Sequence, residues 1–399
     1  PNGLCYKINE KNLTARVTIS PDAKGEILIE HSIQHQSNNY TIISIFFNAF
    51  KKNQNIESIQ FTDNSELKSI DKKSFSKSSL SSIFIPISVT KIEEHAFFNC
   101  KNLKKVDFSE NSELQLIDKE AFAGSSIEVI KIPSKVQKIC DGAFLNCKSL
   151  KKVEFSKNSE LRIIGKNAFF GSSIESILIP RHVSQIGEYA FYYCNRLKSI
   201  RFSEKSELKI IDKEAFSSTP IENILIPSSV NQIGERVFAS CKKLKLFAFS
   251  KNSLLNTITK GNFCESTIES IKIPSNIKEI GDRAFFYCEN LKKIKFSKNS
   301  ELCSIGDEAF SETKIMSISI PEKVSQIKSF AFIENLFLET VEFLGEQLSV
   351  GMYAFSRCDH LKLVSFPNAI KISIDKDSFY GASDCFTFFV CPGVLINKK

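Results

Sequence analysis

The chain has no tryptophan, two methionines and five histidines, and only 15 glycines and 11 prolines in 399 residues. So little Gly and Pro excludes collagen-like and low-complexity classes. No run of about 18 apolar residues occurs, so no helix is expected to span a membrane. No Cys-x-x-Cys occurs, and His31 and His35 fall on a strand-to-loop segment rather than a helix, so no metal site is expected. A Gly-rich phosphate loop, a Gly-x-Ser-x-Gly elbow and His-Glu-x-x-His are all missing; neither catalysis nor a cofactor finds support. The net charge of +8 is modest and Lys and Glu are interspersed. A nucleic-acid groove would concentrate Arg and stacking aromatics, so no nucleic-acid partner is expected.

What the chain has is phenylalanine, 35 of them, at fixed intervals. Phe50, Phe75, Phe97, Phe122, Phe144, Phe169, Phe191 and Phe216 are 25 and 22 residues apart in turn, and the alternation continues to Phe332. Ile-Pro recurs at Pro86, Pro133, Pro180, Pro227, Pro274 and Pro321, always 47 apart, one long coil plus one short. A period of this kind marks a solenoid, in which each coil buries its apolar face on its neighbours.

Each long coil reads Leu-x-x-Val-x-Phe-x-x-Asn, as from Leu103 to Asn111: a short strand and then an asparagine whose amide is expected to bond backbone leaving the strand. Short coils end the strand with Ile-Pro, which stops a ladder without removing a needed donor. The Ala-Phe segment is too short for a long helix and is expected to form convex turns or short helical turns. Its Phe column, including Phe97, Phe122, Phe144, Phe169, Phe191 and Phe216, is expected to be the main stabilising element. Truncating Phe191 to Ala should cost roughly 3–5 kcal/mol. The expected class is an α/β-type repeat solenoid, a right-handed coil with a concave parallel β-sheet.

Residues 1–45 lack the phrase. Ala15 to Ser20 and Glu26 to Glu30 read as a capping β-hairpin turned at Pro21 to Gly25. The array is expected over 46–370 and an irregular C-terminal cap over 371–399. Pro1-Asn2-Gly3 carries no initiator Met and no charged-then-apolar leader follows, which fits a removed leader and a late start equally.

Cys100, Cys147, Cys194, Cys241 and Cys288 lie 47 apart, so they occupy one row in alternate coils. At about 4.8 Å per strand their Cα atoms are roughly 9–10 Å apart, beyond disulfide reach. The row is expected to be small structural packing, with Ser78, Ser125, Ser172, Thr219 and Ser266 in the intervening coils. A bridge between Cys385 and Cys391 in the terminal cap is geometrically open. Two sequons, at Asn12 and Asn39, would suit a secreted chain.

The phrase Ile186-Gly-Glu-Tyr-Ala-Phe-Tyr-Tyr-Cys-Asn-Arg-Leu-Lys-Ser-Ile200, repeated from about residue 40 to 380, resembles the BspA-like leucine-rich repeats. These are known from surface proteins of anaerobic bacteria and protozoan parasites. The resemblance implies non-enzymatic protein–protein recognition at a cell surface or after secretion, with host-cell, matrix or other surface proteins as partners. An intracellular repeat scaffold is the alternative.

The residue between the two core positions of each strand should point outward onto the concave sheet. Most, such as Lys131, Lys272 and Lys295, read as a solvated face. Leu178, Arg201, Leu225 and Ala248 are consecutive in this series and are expected to form one partner-binding strip, with Phe84 apart from it. A second row at the strand entries, Lys104, Glu128, Lys151, Glu175 and onward, alternates in sign and is expected to pair between coils.

Overall fold

Through most of the array each coil contributes a strand of about four residues and a strand of two, and each kind stacks in parallel on its own kind. The computed structural model describes residues 3–384 and 386–398. They form two compact units, Pro1–Leu208 and Lys209–Lys399.

In the first unit the broad ladder includes Ser82–Ile85 beside Lys105–Phe108, and Ser176–Ile179 beside Ser199–Phe202. The narrow ladder runs through pairs such as Lys91–Ile92, Leu116–Ile117 and Lys138–Ile139. The second unit repeats both ladders, from Asn223–Ile226 beside Leu246–Phe249 to Lys371–Ile374 beside Leu395–Lys398. Alternation decides the faces. In Ser176–Ile179, Ile177 and Ile179 are buried and the two residues between and before them are exposed. The strand is short because one inward pair of side chains spans the coil.

Phe packs between the ladders. From Phe50 to Phe191 successive rings stack with centroids 5.0–5.3 Å apart and planes within 13°. This offset stacking adds to the large apolar area each ring removes from water. The second unit stacks Phe216 to Phe379 in the same way. Its spacing opens to 5.8 and 5.7 Å on either side of Phe238. Phe247 stands edge-on there, 5.3 Å from Phe238 and 4.6 Å from Phe263, at an inward position where Val153 and Ile200 serve other long coils.

The Ala-Phe segment is a ribbon of turns rather than a helix. His95, Phe97 and Asn99 donate their N–H groups to Lys119, Ala121 and Ala123 of the next coil at 2.7–3.0 Å, while Ala96 and Phe98 close turns on Glu93 and His95. From Phe50 to Phe355 the residues two before and two after each Phe of the column are left-handed, as at His95 (φ 58°) and Asn99 (φ 54°), or Glu120 (φ 51°) and Gly124 (φ 68°). An α-helix needs consecutive right-handed residues, so a left-handed one at every fourth position forbids it. Among the described residues there is no helix. The expected α/β class and short helical turns are thereby corrected to a parallel-strand β-solenoid.

Both ends are more regular than the sequence suggested. Ala15 and Leu28 do not share a hairpin: Thr14–Val17 pairs antiparallel with Tyr6–Asn9 and parallel with Asn38–Ile45, while Gly25–Ile29 joins the broad ladder beside Ile56–Phe61. The Pro21-to-Gly25 turn carries the chain from one ladder to the other, as later coils do. A separate hairpin joins Ser32–His35 to Asn38–Ile45. Near the other end, Thr387–Val390 pairs with Leu363–Phe366 and Leu395–Lys398 with Lys371–Ile374, so both ladders continue. Alternation marks a strand but not its partner, which is why the expected hairpin is corrected.

Candidate protein-interaction face

The outward rows of the broad ladders carry the exposed, chemically varied side chains. In the first unit Leu178 stands directly opposite Arg201 on the neighbouring strand, with half of its surface exposed. A groove of about 1040 Å³ runs past them, with Lys131, Glu154, Arg181 and His182 on its walls. Arg181 Nε and His182 Nδ1 lie 3.3 and 3.1 Å from the two oxygens of Glu207. The bond from His182 is the main cause holding the Glu207 carboxyl below its usual range, and Arg181 adds to it. Phe84, also exposed, stands opposite Asp107.

Elsewhere on this face charge is satisfied within a strand. Lys105 Nζ lies 2.9 Å from Asp107, and Lys152 pairs with Glu154 two residues on. That contact holds the Glu154 carboxyl below its usual range. The alternating row at the strand entries behaves differently. Lys104, Glu128, Lys151 and Glu175 are exposed, and their neighbour contacts are backbone bonds, such as Lys151 N to Glu128 O at 2.8 Å. No side-chain ion pair links them among the described residues, and an exposed pair of this kind would contribute little. The expected pairing along that row is corrected.

In the second unit Leu225 stands opposite Ala248, both exposed. Of the four residues expected as one strip, Leu178 with Arg201 and Leu225 with Ala248 are cross-strand pairs. Beyond Ala248 the same outward row continues through Lys272 and Lys295, with Lys293 beside them. The sequence signal was Ser-Ile-Lys272-Ile and Lys293-Ile-Lys295-Phe, read above as ordinary solvated surface.

Inside the coils, Cys100, Cys147, Cys194, Cys241 and Cys288 are fully buried, and the Sγ of each lies 3.3–3.6 Å from the hydroxyl of Ser78, Ser125, Ser172, Thr219 or Ser266. Each thiol also donates to a Phe carbonyl, as Cys194 does to Phe169 at 3.1 Å. Burial pushes these thiols up, to about 11 at Cys100, Cys147 and Cys241 and to about 12 at Cys194 and Cys288. A neutral buried thiol is neither a ready nucleophile nor a ready metal ligand. Cys391 donates to Pro367 O at 3.1 Å; Cys385, with which a bridge was left open, lies outside the described residues. Among the described residues no group of three His, Cys, Asp or Glu side chains is disposed to hold a metal.

One structural residue escaped the sequence reading. Asn64, Asn111 and Asn158 are exposed and their amides bond no backbone group; the serine that follows does this instead. Ser65, Ser112 and Ser159 accept the N–H of Leu67, Leu114 and Leu161 at 3.3–3.4 Å. The asparagine place is left-handed at Asn252 and Asn299, a conformation Asn tolerates, and at Lys205.

No match is found among curated proteins. A leucine-rich repeat protein of Bacteroides ovatus, known from its crystal structure, is similar at 24% identity over 98% of this chain and 99% of its own, with a TM-score of 0.69. The pneumococcal vaccine antigen PcpA aligns at 19% identity over 100% of this chain and 98% of its own, with a TM-score of 0.46. A leucine rich cell surface protein of Faecalibacterium prausnitzii aligns at 19% identity over 100% and 94%, with a TM-score of 0.43. The first shows the fold; the other two superpose too loosely to add to it. The profile of the BspA type leucine rich repeat region, in six copies, matches residues 29–130, 115–245 and 256–385. With that match spanning most of its length, the chain belongs to the BspA-type leucine-rich repeat family.

Proposed function

We propose that the chain is a non-catalytic protein-recognition module that docks partner proteins on the outward face of its broad ladders, at a cell surface or after secretion. The observation that carries this is the exposure of Leu178 and Leu225 on rigid strands, each with a polar or small neighbour directly opposite. A preformed sheet gives up little order on binding, so apolar contact and a nearby Arg count almost in full. Phe84 offers a further exposed ring on the same kind of face.

The test uses the full chain as bait on a surface-biotinylated host-cell preparation. Leu178→Glu and Leu225→Glu are compared singly and together. Their thermal transitions should stay within a degree or two of the unmodified protein, because surface changes of this kind are worth about 0.5 kcal/mol or less. Capture should fall at least tenfold. Capture that survives in the double variant places the interface elsewhere.

A second reading, an intracellular scaffold using the same face, is favoured by the free thiols of exposed Cys5 and Cys303. Glycan mass at the exposed Asn12 or Asn39 in protein from its natural source decides for the surface reading; its absence together with a cytosolic location decides against it.

A further inference from the structure

In the second unit the outward face over Asn223–Ile226, Leu246–Phe249, Ser270–Ile273 and Lys293–Phe296 divides into two halves. The register sets Leu225 beside Ala248, and Lys272 beside Lys295. Leu246 and Lys293 occupy the parallel outward row. Leu246 is 65% exposed and Leu225 57% exposed, so the first two strands present apolar surface and the next two present three lysines.

Lys293 lacks the partner its counterparts have. Lys105 and Lys152 hold the first outward position of their strands, and each meets an acid at the second, Asp107 or Glu154. At Lys293 the second outward residue is Lys295, and Lys272 stands directly opposite it. Among the described residues none of the three forms an ion pair, and Glu342, further along the face, receives the Ser319 hydroxyl at 2.9 Å. Like charges directly opposite on paired strands repel and cost stability. An anionic partner relieves that repulsion as it binds, so this face gains from a negative ligand twice over.

We infer that this face takes an acidic protein segment, with an apolar side chain seated on Leu225, Leu246 and Ala248 and carboxylates on Lys272, Lys293 and Lys295. The inference rests on the protein-recognition reading above and specifies its partner. Apolar area beside the charge favours a peptide over a sugar or nucleic-acid polyanion, which would draw on Arg and stacking aromatics. Neighbouring strands lie about 4.8 Å apart, so the two halves are separated by roughly 5–14 Å, or about two to four residues of extended peptide.

A displayed library of random peptides panned on the full chain tests this. The counter-target is the Lys272→Glu/Lys295→Glu variant, with Lys272→Gln/Lys295→Gln as a milder second one; thermal transitions check that both fold. Enriched peptides should carry an apolar residue two to four positions from at least two acids. They should bind the charge-reversed variant at least tenfold more weakly and lose affinity as salt is raised from 0.05 to about 0.5 M. Enrichment without acids, equal binding to the variants, or displacement of the peptides by heparin or a single-stranded oligonucleotide of higher affinity overturns the inference. Should Lys272→Glu leave peptides bound while Leu225→Glu still loses the captured proteins, the acidic partner fails and broad-face recognition stands. Capture unaffected by either change overturns the inference and leaves the exposed Leu178 of the first unit to carry recognition.

Discussion

The broad faces of the two units share a backbone plan and differ in how they handle charge. In the first, lysines at the strand start are neutralised two residues on, by Asp107 and Glu154. In the second, Lys293, Lys295 and Lys272 gather without an acid, beside Leu225 and Leu246. The interiors of both units are built alike, from stacked Phe rings and buried thiols. Packing therefore constrains the inside to repetition, while an outward position costs little whatever occupies it. Variation between coils accumulates on the outward faces.

Matched substitutions test the likeness of the interiors. The largest effect belongs to the Phe column: Phe122→Ala in the first unit and Phe285→Ala in the second should each lose about 3–5 kcal/mol in urea denaturation. Both rings are fully buried between stacked neighbours. Losses differing by more than about 2 kcal/mol would break the claim of equivalent cores.

Next come the glycines that touch the preceding coil. An added Cβ at Gly187 would lie 2.7 Å from the Gly165 carbonyl carbon, and at Gly234 only 2.4 Å from Lys213 N. Backbone cannot step aside as a side chain can, so Gly187→Ala and Gly234→Ala should each cost about 1–3 kcal/mol. A neutral result at either site would mean that the coils can slide apart.

Alkaline pH probes the thiol row. A thiol raised by burial is a raised acid, so its stabilising share is full below about 9 and is lost as pH climbs through 9 toward its folded value. At Cys147 and Cys241 that value is about 11. Each should lose about 1 kcal/mol at pH 10, and Cys147→Ser or Cys241→Ser should flatten the fall in melting temperature between pH 8 and 10 relative to the unmodified chain. At pH 8 in native protein, a thiol reagent should label exposed Cys5 and Cys303 and leave both of these unmodified.

The smallest effect is the most discriminating, because its sign should differ between the faces. Lys295→Glu installs the first unit's lysine–acid pattern beside Lys293 and should stabilise by at most about 1 kcal/mol; Glu154→Lys should destabilise by as much. Both shifts should vanish in about 0.5 M salt. The same sign at both sites would show that the lysines are already satisfied.

Much of this was legible beforehand for one reason: a repeating fold writes its contacts as a period. The Phe spacing located every ring of the column, and the 47-residue interval placed each Cys in a row with a hydroxyl in the coil between. Alternation within strands sorted inward from outward residues, Leu178 and Leu225 included. Lys272, Lys293 and Lys295 were visible but unremarkable, because a lysine reads as solvated surface until its missing neighbour is known. The serine after each strand was passed over for the asparagine before it, since both residue types can bond backbone at a turn.

By itself the sequence determined the coil length, the alternation of long and short coils, the buried column and the family, all of which depend on residues near one another in the chain. The tertiary structure decided what depends on a neighbour about 22 or 25 residues away. It turned the Ala-Phe segment into a left-handed-punctuated ribbon bonded to the next coil, where turns or short helical turns were expected. It sent Thr14–Val17 and Gly25–Ile29 to separate ladders rather than into one hairpin. It also set Lys272 against Lys295. A backbone donor can be satisfied within its own turn or by the coil beside it, and local sequence does not distinguish the two; only the stacked neighbour, by offering its carbonyl at hydrogen-bond distance, makes the choice.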